Sequence, residues 1–195
     1  ETELLVELAL QRIPQPSPQP SPKGRGGKYR VLDLGTGSGA IALSIAHARP
    51  DVEVVAVDAS EAALEVAREN ALRLNIGNVR LLRSDWFSAL HGEHFDLIVS
   101  NPPYVAANDV HLAQGDLRFE PRAALASGAD GLDDIRRICA QAKAHLDPDG
   151  WLLFEHGHDQ AEPVRALLQQ AGFAGVFTAR DLADIERVSG GHNPP

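Results

Sequence analysis

The chain has 195 residues, a formal net charge of −9 and a hydrophobic content of 44%. That length supports one ordinary domain with a substantial core, and the acidity counts against broad nonspecific nucleic-acid binding, leaving room only for a local basic patch. A single cysteine, Cys139, excludes an intramolecular disulfide framework and fits a reducing cytoplasm; no stretch approaches the ~20 apolar residues of a membrane span, and no secretory signal is visible. The chain opens at Glu1 and contains no methionine, so it is expected to be a piece of a longer protein.

Thr2 is placed to cap a helix over residues 3–13, with Leu4, Leu5 and Leu8 on one face and Pro14 ending it. From about residue 14 to residue 28 the chain carries a tandem Pro-Gln-Pro-Ser repeat that runs into a basic glycine segment. This composition cannot pack a core and predicts an extended, mobile surface insert; a proline-recognition ligand is the sharper alternative.

Residues 31–39 read Val-Leu-Asp-Leu-Gly-Thr-Gly-Ser-Gly. The apolar part suits a strand buried on both faces, and residues 40–48 open a helix. Gly35, Gly37 and Gly39 let the backbone approach a ligand at the strand-to-helix turn, while the new helix points free N–H groups at the same place. Thr36 and Ser38 lie within that turn. A nucleotide-type cofactor site follows.

The charge of Asp33 bears on which cofactor. Gly35, Gly37 and Ala40 also satisfy the dinucleotide fingerprint in its G-x-G-x-x-A form, so a nicotinamide cofactor is a competitor. Asp33, two residues before the first glycine, would repel a pyrophosphate. It suits a cofactor that carries an ammonium and a sulfonium and no phosphate, which describes S-adenosylmethionine.

Onward from there, strands and helices alternate. Residues 52–57 form a second buried strand ending at Asp58, about 20 residues past the glycine turn, where a carboxylate accepts from ribose hydroxyls. Ser60 caps a helix through about residue 75, with Leu64, Ala67, Ala71 and Leu74 inward, Glu69 paired to Arg73, and Gly77 as its stop. Residues 79–82 form a third strand leading into Ser84, Asp85 and Trp86; an acceptor and an aromatic face there suit an adenine amine and ring, though Trp86 as plain core packing reads nearly as well. Residues 95–99 form a fourth strand. The stretch 105–131 is a long irregular segment, the natural lid or substrate loop. Leu132, Ile135, Cys139, Ala142 and Leu146 mark a helix, and residues 151–154 a fifth strand after a turn at Asp149-Gly150. Asp159 with Glu162 predicts a capping box for a helix that stops at Gly172. Residues 176–178 and 187–189 read as two closing strands, an antiparallel pair being one arrangement open to them. The whole is an α/β, doubly wound sheet whose ligands sit beyond the carboxyl ends of the strands.

The fourth strand runs into Asn101-Pro102-Pro103-Tyr104. Two prolines end a strand abruptly and stiffen the turn. Such a turn can hold the Asn101 side-chain oxygen and the Pro102 carbonyl as two fixed acceptors for a planar –NH2 group, with Tyr104 covering its flat face. Acceptors out of the amide plane favour a pyramidal nitrogen and localise its lone pair, which is positional and electrostatic catalysis without a strong base. His156, His158 and Asp159 raise the thought of a metal, but without a complementary cluster a strand-end structural role is the better reading. Cys139, on an apolar helix face, reads as a buried thiol.

These motifs resemble the class I S-adenosylmethionine-dependent methyltransferases acting on exocyclic or amide nitrogen, and within them the protein-(glutamine-N5) methyltransferases that modify peptide-chain release factors. Glu1-Thr2-Glu3, Ser84 to Phe87, Glu120-Pro121-Arg122, Gly128 to Leu132, and Glu155-His156-Gly157 with Gln160 are further matches. The resemblance implies a Rossmann-like, mostly parallel seven-stranded sheet with a reversed last strand. It also implies a separate N-terminal helical domain, absent from this chain, so residues 1–195 are expected to be the catalytic domain. Carried over, Gly35–Gly39, Asp58, Trp86 and Asn101 would hold the cofactor and 101–104 the glutamine amide, with Asp33 and Asp85 as added cofactor contacts. The proline-rich insert and Glu186, where a glycine is expected before Arg187, depart from the family's pattern. The activity implied is methylation of a glutamine in a Gly-Gly-Gln context of a release factor, in the cytoplasm. An amino methyltransferase acting on adenine or cytosine and a noncatalytic cofactor-binding module are the alternatives.

Overall fold

The computed structural model describes residues 2–15, 28–107 and 125–195. The elements run α1 (Thr2–Arg12), β1 (Arg30–Leu34), α2 (Ala40–Ala48), β2 (Glu53–Asp58), α3 (Glu61–Arg73), β3 (Val79–Arg83), β4 (Phe95–Ser100), α4 (Asp133–Ala142), β5 (Leu146–Glu155), α5 (Ala161–Gln170), β6 (Ala174–Arg180) and β7 (Glu186–His192). The seven strands form one sheet in the order β3-β2-β1-β4-β5-β7-β6. β1 to β5 are parallel neighbours, and β7 is antiparallel to both β5 and β6. The chain winds outward from β1 through β2 to β3, then returns to the other side of β1 at β4. That reversal opens a crevice between the carboxyl ends of β1 and β4, the place where doubly wound sheets bind ligands.

Alternate residues of the central strands face opposite layers, and both are apolar. Leu32, Leu34, Val55, Val57, Ile98 and Phe154 pack with Ile135, Ile138 and Cys139 of α4 and with Val164 and Leu168 of α5. Val31, Val54, Ala56, Leu97, Val99 and Leu153 pack on the other face with Leu5 and Ala9 of α1 and Ile41, Ala42 and Ile45 of α2. β1 and β4 are therefore clamped on both sides, and their carboxyl ends are held rigidly.

Several local expectations shift. Thr2 is the first residue of α1 rather than its cap, and its hydroxyl lies 3.5 Å from Glu155 Oε2. Ser60 caps α3 as expected, its Oγ accepting from Ala63 N. The stop of α3 comes at Leu74 and a left-handed Asn75 (φ 53°) rather than at Gly77, and Leu74 is exposed rather than inward. The helix expected to run to Leu146 ends at Ala142, and a short 3-10 turn delivers Leu146 to β5. The expected turn at Asp149-Gly150 survives as a bulge inside β5: Phe95 pairs with Leu146 and Leu97 with Trp151, while Asp149 adopts φ 63°. Asp159 and Glu162 do not form a capping box, since Gln160 occupies the N-cap of α5. Gly172 does end that helix, at φ 78°. Glu186 starts β7 and faces Arg165 at 3.4 Å, so the substituted position is absorbed as an ion pair at a strand end.

Most of the proline-rich segment and most of the 105–131 stretch lie outside the described residues. The base of the latter is described: Val105 N donates to Leu125 O, Ser127 N to Val105 O, and Ala107 N to Gly128 O, at 2.8–2.9 Å.

Candidate functional site

The glycine turn caps the end of β2. Gly35 N and Thr36 N both donate to Val57 O at 2.9 Å, and Gly37 N donates to Asp58 Oδ2 at 2.9 Å. Asp58 Oδ1 accepts from Ser60 N at 2.8 Å. One carboxylate thus fixes the turn and the entry of α3, and its remaining lone pairs face the crevice. Gly35, Gly37 and Gly39 all have φ between 56° and 86°, a region costly for any residue with a Cβ. Their surroundings differ. A Cβ on Gly37 would meet nothing within 4 Å, whereas one on Gly39 would lie 3.0 Å from Leu43 Cδ1 and 3.3 Å from Ala67 Cβ. Gly37 therefore keeps the crevice open, and Gly39 lets α2 pack against α3.

Asp33 lies beneath the turn rather than on its open face, with no exposed surface. Its Oδ2 accepts from the Thr36 hydroxyl at 2.6 Å and from Ala42 N at 3.2 Å, while Oδ1 has no partner among the described residues. Burial raises its pKa to about 6, opposed by the two hydrogen bonds. Thr36, expected as a cofactor contact, is likewise buried and braces the turn from below.

The second wall follows β3. Ser84 Oγ donates to Trp86 O at 2.7 Å and accepts from Ala89 N at 3.0 Å, holding a tight turn in which Trp86 adopts φ 50°. The Trp86 ring passes 3.5 Å from the Cβ position of Gly35 and also packs on the core, so packing and lining coincide in one side chain. Asp85 is largely exposed and takes a partner that the sequence did not suggest: Arg137 of α4 reaches its Oδ2 at 3.1 Å.

The third wall is the turn after β4. Ser100 Oγ donates to Leu34 O at 2.8 Å, locking the end of β4 to the end of β1. Asn101 is thereby set beside the glycine turn, and its side-chain amide has no hydrogen-bond partner among the described residues. Pro102 is buried, while Pro103 and Tyr104 are half-buried.

These walls enclose a cavity of about 610 Å³, lined by Gly35, Gly37, Ser38, Asp58, Asp85, Trp86, Asn101 and Pro103, together with Ser84, Asp134 and Arg137. Asp33, Thr36, Gly39, Pro102 and Tyr104 from the expected set stand behind that surface or at its margin. Three carboxylates, Asp58, Asp85 and Asp134, and one guanidinium, that of Arg137, line the cavity, with Asp33 buried below. The balance suits a cationic nucleoside and opposes a pyrophosphate. The Asn101 side-chain amide, which has no partner among the described residues, is a group that such a ligand would complement.

His156 is committed elsewhere. Its Nδ1 lies 2.9 Å from Gly157 O and must donate there, so Nε2 accepts from the Ser189 hydroxyl at 2.9 Å. Burial lowers its pKa, which favours the neutral ring that this pattern requires. Cys139 is buried, and burial pushes its thiol up to about 12, the state of an inert core residue. Among the described residues, no group of three or more His, Cys, Asp or Glu is arranged to hold a metal ion, and no helix is long and apolar enough to cross a membrane.

The sequence profile of the methyltransferase small domain matches residues 22–172. The chain is 53% identical over 194 residues to the release factor glutamine methyltransferase of Xylella fastidiosa, covering 100% of this chain and 67% of that protein. It is 55% identical over 145 residues to the protein of that name from Pseudomonas aeruginosa, covering 74% of this chain and 52% of the relative. The chain thus spans about half to two thirds of the length of the curated relatives it matches. Among solved structures it is similar to a Pyrococcus furiosus methyltransferase, at 21% identity and TM-score 0.65 over 87% of this chain and 77% of that one. It is also similar to a Thermus thermophilus 16S rRNA N2 methyltransferase in complex with AdoMet and guanosine, at 24% identity and TM-score 0.65 over 98% and 42%. The fold class, with its reversed last strand, agrees with both. The chain belongs to the methyltransferase small domain family, among relatives named release factor glutamine methyltransferases.

Proposed function

We propose that this chain is the catalytic part of an enzyme that transfers a methyl group from S-adenosylmethionine to the side-chain amide nitrogen of a glutamine in a peptide-chain release factor. The observation that carries the reading is the Asn101 amide, without a partner among the described residues, at a proline-stiffened turn on the wall of the same cavity as the glycine turn and Asp58. Relatives about half identical to this chain, named release factor glutamine methyltransferases, support the choice of substrate.

Each wall has a part. The glycine turn and the remaining lone pairs of Asp58 would hold a ribose, with Trp86 and Asp85 beside the base. Asp33, ionised above about pH 6, would place negative charge behind the turn, where a sulfonium and an ammonium are favoured. When bound, S-adenosylmethionine supplies an electrophilic methyl group on a sulfonium, transferable to a nitrogen lone pair without redox change. The Asn101 side-chain oxygen and the Pro102 carbonyl would accept the two hydrogens of the glutamine –NH2, orienting its lone pair toward that methyl. The N–H proton lost after transfer passes to water, so the site has no need of a strong base. The contribution is positional and electrostatic.

The test is single-turnover methyl transfer by the chain to purified release factor, with DNA and RNA as comparison substrates and cofactor affinity measured separately. Transfer to a release-factor glutamine is expected, and Asn101→Ala is expected to slow it by ~10²-fold while cofactor affinity falls far less. Tyr104→Ala should chiefly weaken substrate binding. Methylation of nucleic acid in place of the protein, or parent-rate transfer by Asn101→Ala, would overturn the reading.

A further inference from the structure

We propose that Gln160 is the positioning residue of the target-amide turn: its side chain sets the Tyr104 carbonyl, and through it the placement of Asn101 and Pro102. The inference rests on the functional reading above for what that turn receives. Gln160 sits at the N-cap of α5 yet caps nothing, and glutamine is not among the residues favoured there. Its side chain spans three segments instead. Oε1 accepts from Gly157 N at 2.8 Å, and Nε2 donates to Tyr104 O at 2.9 Å and to Asp130 O at 3.3 Å. The residue is 8% exposed, and both amide hydrogens and the carbonyl are engaged.

Only a side chain that accepts at one atom and donates twice at the other makes this junction, which accounts for an amide at this position where helix capping does not. Gly131 completes it. At φ 76°, a Cβ there would lie 2.3 Å from Tyr104 O and 2.7 Å from Gln160 Nε2, so the chain passes only as glycine. Because Pro102 and Pro103 hold their own φ fixed, fewer torsions remain between Tyr104 and Asn101 to absorb a displacement of the Tyr104 carbonyl.

Gln160→Glu separates positioning from mere packing. The carboxylate still accepts from Gly157 N, but its second oxygen meets two carbonyl oxygens; once protonated, it donates to Tyr104 O again. The ionisable neighbours on the packed elements are Asp130, held at about pKa 2 by Arg136, His156, whose burial keeps it neutral, His158 and Asp159 between Gly157 and Gln160 in the chain, and Tyr104 itself. Dividing rates by those of the parent at each pH removes the titration of these neighbours and leaves that of the introduced carboxyl. At pH 8.5 we expect kcat on release factor to fall at least ~10-fold, with cofactor affinity within about twofold, and to recover toward the parent as the pH is lowered. Gln160→Met, of similar length and without a donor, should show the same loss and no recovery. Parent-like kcat in either variant, or a loss in Gln160→Glu that does not depend on pH, would overturn the proposal.

Hydrogen exchange gives a readout apart from activity. The Val105 amide, bonded to Leu125 O next to the turn, should exchange faster in Gln160→Met, while the Gly37 amide is unchanged. Equal exchange at Val105 would also overturn it. If the parent methylates no glutamine, the proposed function fails by itself, and Val105 exchange alone then decides the role of Gln160.

Discussion

At the scale of single residues, charge placed beneath or beside the glycine turn governs the site. Asp33 is held near pKa 6 by burial, against an ordinary value near 3.8. Between those values the folded chain keeps a proton that the unfolded chain has released, so stability from this group is greatest at low pH and falls as pH rises through 4 to 6. Cofactor binding runs the other way, because a cationic ligand needs the ionised carboxylate. Affinity for S-adenosylmethionine should rise from pH 5 to pH 7 by up to about tenfold, and Asp33→Asn should flatten that rise. Calorimetric titration across this range checks it; a parent affinity independent of pH would remove Asp33 from the field acting on the cofactor. Asp58→Ala should weaken binding by ~1–3 kcal/mol, through loss of a charged acceptor that also anchors Gly37 N and Ser60 N.

At the scale of elements, the glycine turn is a junction where three identical residues do different work. Gly37→Ala should cost about 1–2 kcal/mol of stability through its left-handed backbone alone, because the added Cβ meets open space. Gly39→Ala carries the same strain and also crowds Leu43 and Ala67, adding about 1–3 kcal/mol of overpacking between α2 and α3. Thermal melts should therefore rank Gly39→Ala below Gly37→Ala, while cofactor titration should rank them in reverse, since the new methyl of Gly37→Ala enters the cavity. Equal melting temperatures would show that α2 shifts to accommodate the extra methyl.

At the scale of the whole molecule, the described residues that flank the proline-rich segment are bonded to the domain. Arg12 O and Tyr29 Oη lie 3.4 Å apart, and Arg49 donates to Ile13 O and Pro14 O at 3.1 and 2.6 Å. The segment thus leaves and returns at neighbouring points. Replacing residues 16–27 with a bridge of a few Gly/Ser residues should keep cofactor affinity and raise stability by ~1 kcal/mol, the loop-closure entropy recovered by a roughly threefold shorter connection. A loss of several degrees in melting temperature would show that the segment packs on the domain.

The sequence by itself determined the alternation of strands and helices, the switch-point location of the glycine turn and Asp58, and the place of Asn101-Pro102-Pro103-Tyr104 as the turn that ends β4. Each is a local signal: periodic apolar residues, glycines where a Cβ is excluded, and prolines that fix φ. Only the tertiary structure decided which groups meet across elements. Arg137 of α4 pairs with Asp85 in the turn after β3, 52 positions away, and Asp33 supports the turn from below because Ala42 N and the Thr36 hydroxyl converge on one of its oxygens. Gln160 reaches Tyr104 across 56 positions of sequence, a pairing with no periodicity to announce it. The sequence placed the end of α3 near residue 75 but named Gly77 as its stop, where the left-handed residue is Asn75, and it read a simple turn at Asp149-Gly150 where β5 carries a bulge. Local sequence sets the backbone's choices one segment at a time, whereas a hydrogen bond between distant segments exists only once the sheet has brought them within 3 Å.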